Sequence, residues 1–375
     1  MGHARKRVED ARFIRGAGHY IEDINLPGQL WLDIVRSPYA HARIKAIDDS
    51  AAMKVPGVAA VITGKALETY GLHWMPTIAG DKQMVLPVDT VMYQSQEVAA
   101  VIATSRYAAA DGVAAVLVDY EPLEVVVDPY KAMDPSSPVL RPDRGEGKQN
   151  NHIWHWESGD RAATDAALMG SKTRVKEHLY IPRIHVASIE TCGIVADWDS
   201  VNGTMTVHMT SQAPHAIRTV LALVAGGAGL PIPEHKIRVI THDIGGGFGG
   251  KVPVAEELGI PAADVKVEYG DTDTAPYGLG TYGSRSTPVS GAATAVASRK
   301  VRDKARKIAA HLLEAAEDDL EWTNGKFSVK GSPDRAKTIQ DIAFAAYTNH
   351  PQGMEAGLEA VNYYDPPILT FPFGS

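Results

Sequence analysis

Cysteine is nearly absent from this chain, which has Cys192 and no other among its 375 residues. A single thiol excludes an internal disulfide framework, and it excludes a zinc or iron–sulfur site built from several cysteines of this chain. The scarcity favours a reducing compartment. Cys192 lies between two strand-like runs, and we expect a buried structural thiol there rather than a nucleophile.

Long apolar runs are missing as well. No stretch approaches the ~20 apolar residues that cross a bilayer, and the first residues lack the apolar core of a secretory signal. The net charge is −8, which argues against nucleic acid as the main partner because phosphate backbones bind basic surfaces. The histidines show neither H-x-x-x-H nor H-E-x-x-H spacing, which argues against zinc held by protein ligands. We therefore predict a soluble, cytoplasmic protein.

The rest of the composition is typical of a globular protein. Hydrophobic residues make up 45% and charged residues 22%, which is enough to bury a sizeable core, and the length predicts about two or three domains. In the first part, periodicity predicts strands at Leu30–Arg36, Val58–Thr63, Val98–Thr104 and Glu124–Val127, and a helix over Arg106–Tyr120. Residues 131–152 are rich in proline, glycine and charge, which predicts a linker.

The second part begins with strands and ends in a long helix. Strands are predicted at Thr173–Ile181, Gly193–Asp197, Thr204–Thr210, Lys236–Thr241 and Val265–Tyr269, and helices over Pro214–Val224 and Val289–Ala316. The last two strands each run directly into a glycine-rich sequence. These two sequences carry most of the chemical information in the chain.

The first glycine-rich sequence is GGGFGGK at Gly245–Lys251. It satisfies both the G-x-G-x-x-G dinucleotide pattern and the G-x-x-x-x-G-K phosphate-loop pattern. Both patterns fail in context, because Val252 stands where a phosphate loop has serine or threonine, and Pro253 interrupts the helix that a dinucleotide fold needs. Phe248 among five glycines favours a wall that packs flat against a ligand. The alternative is a tight turn between strands.

The second glycine-rich sequence is Gly278–Ser286. Three glycines free its backbone, and threonine, tyrosine and serine supply hydroxyl groups. Ser286 or Thr287 can cap the following helix, whose first N–H groups then face this loop. Arg285 adds a guanidinium suited to phosphate. The pattern predicts a phosphate site, and the alternative is a capped helix without a ligand.

Three polar residues outside these loops are weaker candidates. Gln212 lies at a strand–helix junction, where α/β folds place ligand groups, and its amide suits an oxo or carbonyl group; a helix cap is the alternative. Asp271 and Asp273 resemble a magnesium pair, but a turn closed by an aspartate is more typical of this DTD sequence.

Taken together and in this order, the motifs resemble the molybdenum hydroxylase family, which includes xanthine dehydrogenases and aldehyde oxidases. The resemblance is strongest to the large subunit of the aerobic carbon monoxide dehydrogenases, and it spans almost the whole chain. The sequences that carry it are RFIRGAGHYIEDINLPG, RSPYAHARI, YQSQEVAAVIA, VDYEPLEVVVDP, IETCG, TSQAPH, IRVITHDIGGGFGGK, GDTDTAPYGLGTYGSRSTP and NYYDPP.

The resemblance implies a mixed α+β fold. We expect an α/β hammerhead-like domain over residues 1–130, the linker, and two partial molybdenum-cofactor-binding domains over 153–254 and 255–375. The implied cofactor is molybdopterin cytosine dinucleotide, whose dithiolene binds the molybdenum in place of protein side chains. The implied cofactor residues are Gln212, Gly246, Gly247, Phe248 and Gly249 near the metal, and Tyr282, Gly283, Ser284, Arg285 and Ser286 at the dinucleotide.

In the family branch that the chain resembles, carbon monoxide and water give carbon dioxide, protons and electrons. The electrons leave through iron–sulfur clusters and FAD on a small and a medium partner subunit, in a dimer of heterotrimers. This implies a cytoplasmic protein at the inner face of the membrane.

The chain also departs from the family pattern. After Val254 it continues with sequence that lies far downstream in the family. The missing region would contain the cysteine loop that carries copper in the carbon monoxide enzymes and a Q-G-Q-G-H cofactor motif, and the chain stops before the family's catalytic glutamate. No catalytic residue is therefore assigned, and we hypothesise that the chain is inactive. The alternatives are a non-catalytic remnant or assembly module, an aldehyde- or purine-oxidising member, and a nucleotide-binding enzyme.

Overall fold

The structure is a computed structural model that describes residues 9–76, 82–141, 150–152, 155, 157, 159–181, 189–230, 232–245, 265–275, 277–281 and 287–365. The chain divides into two compact units. The first unit comprises Met1–Ile24, Ser188–Arg218 and His235–Ser375, and the second comprises Asn25–Ala187 and Thr219–Glu234.

Helices and strands are mixed along the described residues, and several strands follow one another without an intervening helix, as in an α+β fold. The α-helices are α1 Asp10–Phe13, α2 Gly64–Thr69, α3 Arg106–Ala115, α4 Pro129–Ala132, α5 Arg161–Gly170, α6 Pro214–Gly227, α7 Ala292–Leu313 and α8 Ile339–Thr348. The strands are β1 Trp31–Arg36, β2 Ala42–Asp48, β3 Val58–Thr63, β4 Trp74–Pro76, β5 Lys82–Met84, β6 Thr90–Val91, β7 Glu97–Ala103, β8 Leu117–Pro122, β9 Ile194–Asp199, β10 Thr204–Met209, β11 Ile237–Ile240, β12 Leu320–Thr323, β13 Lys326–Val329 and β14 Ser332–Thr338. Within the described ranges, no helix has the length and apolar character needed to span a bilayer.

Strand β7 is the centre of the second unit. It pairs antiparallel with β1 on one side and β3 on the other, and its small side chains are almost fully buried. Helix α3 packs closely on this sheet, since a Cβ atom on Gly112 would lie 2.7 Å from a methyl carbon of Val101. The predicted strands here are confirmed, β3 to the residue and the other two within one residue of each bound.

The helix predicted over Arg106–Tyr120 is correct only in its first ten residues. It begins at the cap Ser105, whose Oγ accepts the N–H of Ala108 at 3.1 Å, and it ends at Ala115. The next residues, rich in valine and tyrosine, pair antiparallel with β2 as strand β8, because such side chains fit a half-buried sheet. The strand predicted at Glu124–Val127 is therefore wrong, and β8 occupies the preceding residues.

A second prediction in this unit also fails. Thr173–Ile181 was expected to be a strand, but the structure shows no strand there, and its apolar side chains are exposed, with Val175 at 86% and Leu179 at 79%. The preceding helix α5 has no buried residue. Alternating apolar residues form a stable strand only when a neighbour supplies hydrogen bonds, and none does so among the residues described.

The first unit contains a three-stranded sheet in the order β11-β10-β9. Strand β9 runs antiparallel to β10, whereas β11 runs parallel to it, as a connection through a helix such as α6 allows. Val207 and Val239 are at most 1% exposed at its centre. The predicted strands are confirmed within two residues, except Val265–Tyr269, where the structure has no strand and only a single bridge follows, between Ile240 and Asp271.

The end of the described chain forms a separate core in the same unit. Helices α7 and α8 pack on the antiparallel sheet β12-β13-β14, around the fully buried side chains of Ile308, Phe327 and Ile342. The long helix predicted from Val289 to Ala316 is confirmed in kind. A π-helical turn at Thr287–Gly291 precedes its α-helical part, and it ends three residues early, where Glu314 adopts a left-handed conformation.

Replacing Phe327 tests this core. Phe327 is 0% exposed, and its ring packs at a tilt against that of Trp322 with ring centroids 4.4 Å apart, so Phe327→Ala should lower the free energy of unfolding by about 3–5 kcal/mol. The matched control is Phe344→Ala on α8, whose side chain is 73% exposed and whose loss should cost less than about 0.5 kcal/mol. Urea unfolding followed by tryptophan fluorescence measures both. Equal effects would contradict the described packing.

Candidate functional site

The parallel strands β10 and β11 end at the same edge of their sheet. His208 of β10 pairs with Ile240 of β11, and the chain leaves these strands through Thr210–Ala213 and Thr241–Gly245. Ligands of α/β sheets bind beyond the carboxyl ends of parallel strands. The structure therefore brings Gln212 and the start of the first glycine-rich sequence to the same edge.

The second glycine-rich sequence begins directly against Gln212. The N–H of Thr281 donates to the main-chain oxygen of Gln212 at 2.8 Å. A Cβ atom on Gly280 would lie 2.3 Å from the Cβ of Ala213, and the φ of Gly280 is +80°. Only glycine fits this approach, because both its lack of a side chain and its left-handed backbone are required. The Gln212 side chain is exposed, while Ser211 Oγ accepts the Ala213 N–H at 3.0 Å.

His215 contacts the residues just before Gly278. It is 5% exposed, and its Nε2 lies 3.1 Å from the main-chain oxygen of Ala275. The ring of Tyr277 meets it edge-on with centroids 5.7 Å apart. His215 is not among the residues predicted for the site, although its place one residue after Pro214, in the first turn of a predicted helix, was a usable signal.

Asp271 closes a turn and binds an arginine. Its Oδ1 accepts the N–H of Asp273 at 3.0 Å, which confirms the predicted turn. Arg238 of β11 binds both carboxylate oxygens, at 2.6 and 3.1 Å, and this hydrogen bonding lowers the pKa of Asp271. Among the residues that the structure describes, no group of three or more histidine, cysteine, aspartate or glutamate side chains could hold a metal ion.

Asp243 and Glu190 hold the last residues before the first glycine-rich sequence. The Asp243 carboxylate binds both terminal nitrogens of Arg12, with Nη2 at 2.6 Å from Oδ1, and it also accepts the His19 N–H at 2.7 Å. The hydrogen bond from Arg12 lowers the pKa of Asp243. Glu190 Oε2 accepts the N–H of Gly245 at 2.7 Å. Neither carboxylate is among the residues predicted for the site, because their partners are distant in the sequence.

Three histidines cluster beside these residues, and two of them are stacked. His208 Nδ1 and His242 Nε2 lie 2.9 Å apart, with their rings stacked at 5.1 Å, and the ring of His19 lies 5.0 Å from that of His242. Burial lowers the pKa of His208 and of His242. Arg238 and His19 lower the pKa of His208 further, whereas Asp197 and Asp271 raise it. His208 and His19 lower the pKa of His242 further, whereas Asp243 and Asp271 raise it.

Most of the predicted cofactor residues lie outside the described residues. These are Gly246, Gly247, Phe248, Gly249, Tyr282, Gly283, Ser284, Arg285 and Ser286. Their roles remain predictions, as does a helix cap at Ser286. Cys192 is exposed in the structure, so the expectation of a buried thiol was wrong.

Comparison with known proteins identifies the family. Residues 15–124 match the a/b hammerhead domain of aldehyde oxidase and xanthine dehydrogenase, and residues 145–269 and 236–375 match two molybdopterin cofactor-binding domains. The chain therefore belongs to the molybdenum hydroxylases of the xanthine dehydrogenase and aldehyde oxidase family. The expected fold class is confirmed. Because the matched ranges overlap, the domain limits at 130, 152 and 254 stay predictions.

Within this family, the chain is similar to carbon monoxide dehydrogenase large chains. It is 32% identical to that of Afipia carboxidovorans, over all of this chain and 79% of the relative, and 32% identical to that of Hydrogenophaga pseudoflava, over 98% and 78%. Reconstituted CO dehydrogenase from Oligotropha carboxidovorans superimposes with a TM-score of 0.87 at 31% identity, over 98% of this chain and 79% of the other.

The alignment with the Afipia relative spans 646 positions, against the 375 residues of this chain. At least 271 aligned positions of the relative, the difference between these two numbers, therefore have no counterpart here. This agrees with the expectation of a large internal deletion.

Substituting Gly280 tests the approach of the second glycine-rich sequence to Gln212. Gly280→Ala should lower the free energy of unfolding by more than the about 1–2 kcal/mol of a left-handed alanine, because the methyl group also collides with Ala213. Gly278→Ala is the control, since a Cβ atom there meets nothing within 4 Å. Thermal unfolding of both variants would show the difference, and equal stability would refute the described approach.

The stacked histidines predict a pH dependence of stability. Because the folded pKa of His208 and His242 is lowered, the unfolded chain takes up protons first as the pH falls below about 6.5. The free energy of unfolding should therefore decrease as the pH falls from about 7 through the folded pKa values. The lowered pKa of Asp243 acts in the same direction, below about pH 4.

Urea unfolding at several pH values between about 5 and 7.5 measures this dependence. His242→Gln should make it shallower, whereas His235→Gln, at an exposed position outside the cluster, should leave it unchanged. An identical slope in wild type and His242→Gln would show that the cluster does not titrate as described.

Proposed function

We propose that this chain is the cofactor-binding part of a carbon monoxide dehydrogenase-type large subunit, and that it holds molybdopterin cytosine dinucleotide. The observation that carries the proposal is the meeting of three segments at one sheet edge. The turn at Gln212, the Gly278–Thr281 segment against it, and Asp243–Gly245 all lie beyond the ends of β10 and β11. Asp243–Gly245 leads into the first glycine-rich sequence, Gly278–Thr281 belongs to the second, and Gln212 lies in the sequence TSQAPH. All three sequences resemble the family's cofactor motifs.

The described residues fit such a cofactor. Gly280 brings two backbone segments into a contact that any side chain would block, so main-chain groups line the site. Glu190 Oε1 is buried beside Gly245 without a hydrogen-bond partner among the described residues, and a pterin ring offers N–H donors to such an acceptor. The cofactor, when bound, supplies two-electron redox chemistry.

The remaining roles in the proposal fall on the glycine-rich sequences. Gly246, Gly247, Phe248 and Gly249 would line the metal side, where the absence of Cβ atoms permits close approach and Phe248 excludes water. Gln212 would offer its amide as donor or acceptor. Tyr282, Gly283, Ser284, Arg285 and Ser286 would bind the dinucleotide, with hydroxyl groups and a guanidinium directed at phosphate.

The finer functional assignment follows the carbon monoxide dehydrogenase relatives. The reaction would convert carbon monoxide and water into carbon dioxide, two protons and two electrons. We propose that the electrons pass to an iron–sulfur small subunit and an FAD-binding medium subunit in a dimer of heterotrimers. The location would be the cytoplasm, at the inner face of the membrane.

The missing aligned positions favour a second candidate. By the resemblance, the internal region that is missing after Val254 would contain the cysteine loop of the carbon monoxide enzymes and a Q-G-Q-G-H cofactor motif. We therefore propose that the chain binds the cofactor but does not turn over, and the second candidate is a remnant or assembly module that binds partner subunits without cofactor. An aldehyde- or purine-oxidising specificity is a further alternative within the family.

Metal and pterin analysis of the purified chain separates these candidates. Expression in cells that make the cofactor should yield molybdenum and released cytidine monophosphate in equal amounts, without copper and without carbon monoxide oxidation. Molybdenum-free protein would favour the assembly module. Robust carbon monoxide turnover would refute the expected inactivity.

Arg285→Ala is the variant that tests the proposed phosphate contact in this experiment. Loss of a charge-assisted phosphate contact costs about 1.5–3 kcal/mol, so Arg285→Ala should bind the pterin about 10- to 150-fold more weakly and retain less of it under dilution. Arg161→Ala is the control, because that arginine is 81% exposed on helix α5 of the second unit. Equal retention in the two variants would remove Arg285 from the site.

A further inference from the structure

Residues Asp10–Asp23, which we call the N-terminal clamp, belong to the first unit. The first unit continues to Ile24, and the second unit begins at Asn25. The clamp consists of helix α1, a loop and a 3₁₀ turn at Ile21–Asp23. Ile21 is 7% exposed and packs against Gly193, where a Cβ atom would lie 2.9 Å from its methyl carbon. The clamp is thus built into the unit that contains β9–β11.

The chain between Ile240 and Gly245 has no helix or strand in the structure. Its backbone is tied first by Thr241, whose N–H donates to the Gly270 oxygen at 2.6 Å. The next tie is Asp243, whose N–H donates to the His19 oxygen at 3.0 Å. The direction in which the chain reaches the glycines therefore depends on contacts made outside the β-ladder.

Asp243 is where these contacts converge. Its side chain is 8% exposed, and it accepts hydrogen bonds from Arg12 and from the main chain of His19, while its own N–H returns to His19. A bidentate guanidinium–carboxylate pair defines orientation as well as distance. The clamp thus holds Asp243 through one side chain and through two main-chain hydrogen bonds.

A second carboxylate, that of Glu190, binds the main chain two residues after Asp243. Glu190 accepts the N–H of Gly245, and a Cβ atom on Gly245 would lie only 3.0 Å from the Cβ of Glu190. The main chain of the first glycine is therefore fixed against the residues that precede β9. Ionised carboxylates bind N–H groups about twice as strongly as neutral acceptors do.

We infer that Asp243 and Glu190 are positioning residues, and that the N-terminal clamp acts through Asp243 to set the position of Asp243–Gly245, where the first glycine-rich sequence begins. The inference rests on the proposed function in one respect, that this sequence lines the cofactor. Neither carboxylate needs to touch the cofactor for this role. The consequence is that a change at Arg12, 231 residues away in sequence, alters the cofactor site.

Hydrogen–deuterium exchange on the full chain tests the clamp without cofactor. In Arg12→Ala and in Asp243→Asn, the peptide containing His242–Gly245 should exchange about tenfold faster than in wild type, and Arg12→Lys should recover part of the protection. The double variant should exchange no faster than the single variants, because both changes remove one pair. Arg36→Ala is the control, since it breaks a 2.6 Å ion pair with Glu97 in the second unit.

A merely structural role predicts a different pattern. Exchange would then rise together in β9, β10 and β11, and that result, or unchanged exchange of the His242–Gly245 peptide, would overturn the inference. Molybdenum and pterin content provide a second readout, expected to fall in Arg12→Ala and to stay at the wild-type level in Arg36→Ala. If the wild-type protein retained no pterin, the proposed function would be refuted. The hydrogen–deuterium exchange rates would then still show whether the N-terminal clamp sets the position of Asp243–Gly245.

Discussion

The parallel pairing of β10 with β11 is the constraint on which the site depends. Parallel neighbours end at the same edge, so the residues after each strand meet there although the intervening chain includes helix α6. The turn at Gln212 and the run from Thr241 to Gly245 owe their proximity to this pairing. The segment from Gly270 to Thr281 then returns to the same edge, where the Thr241 N–H donates to the Gly270 oxygen and the Gln212 oxygen accepts the Thr281 N–H.

Local sequence predicted those elements whose stability is itself local. Val58–Thr63 was correct to the residue because turn formers bound a short apolar run, and α3 began where a serine cap predicts. The same reasoning failed at Val116–Tyr120 and at Val265–Tyr269. In the first case the strand partner β2 lies far back in the chain, and in the second an apolar alternation has no ladder among the described residues, so propensity alone decided wrongly.

Some residues of the candidate site could likewise be predicted from the sequence, and others could not. Glycine-rich sequences and Gln212 could be selected from the sequence, since residue type and spacing indicate close backbone approach and ligand binding. The carboxylates Asp243 and Glu190 could not, because an aspartate before a glycine run has no distinctive pattern until Arg12 and His19 are brought to it. The family comparisons support the cofactor class, because two molybdopterin cofactor-binding domains match this chain.

The bond between Arg12 and Asp243 also has a consequence for the order of folding. The clamp emerges from the ribosome first, but its partner is made 231 residues later, after all of the second unit has been synthesised. During that interval the Arg12 guanidinium cannot bind Asp243, and closing so long a loop costs conformational entropy. The second unit can therefore complete its fold on the emerging chain, whereas the first unit must wait for synthesis to pass Asp243.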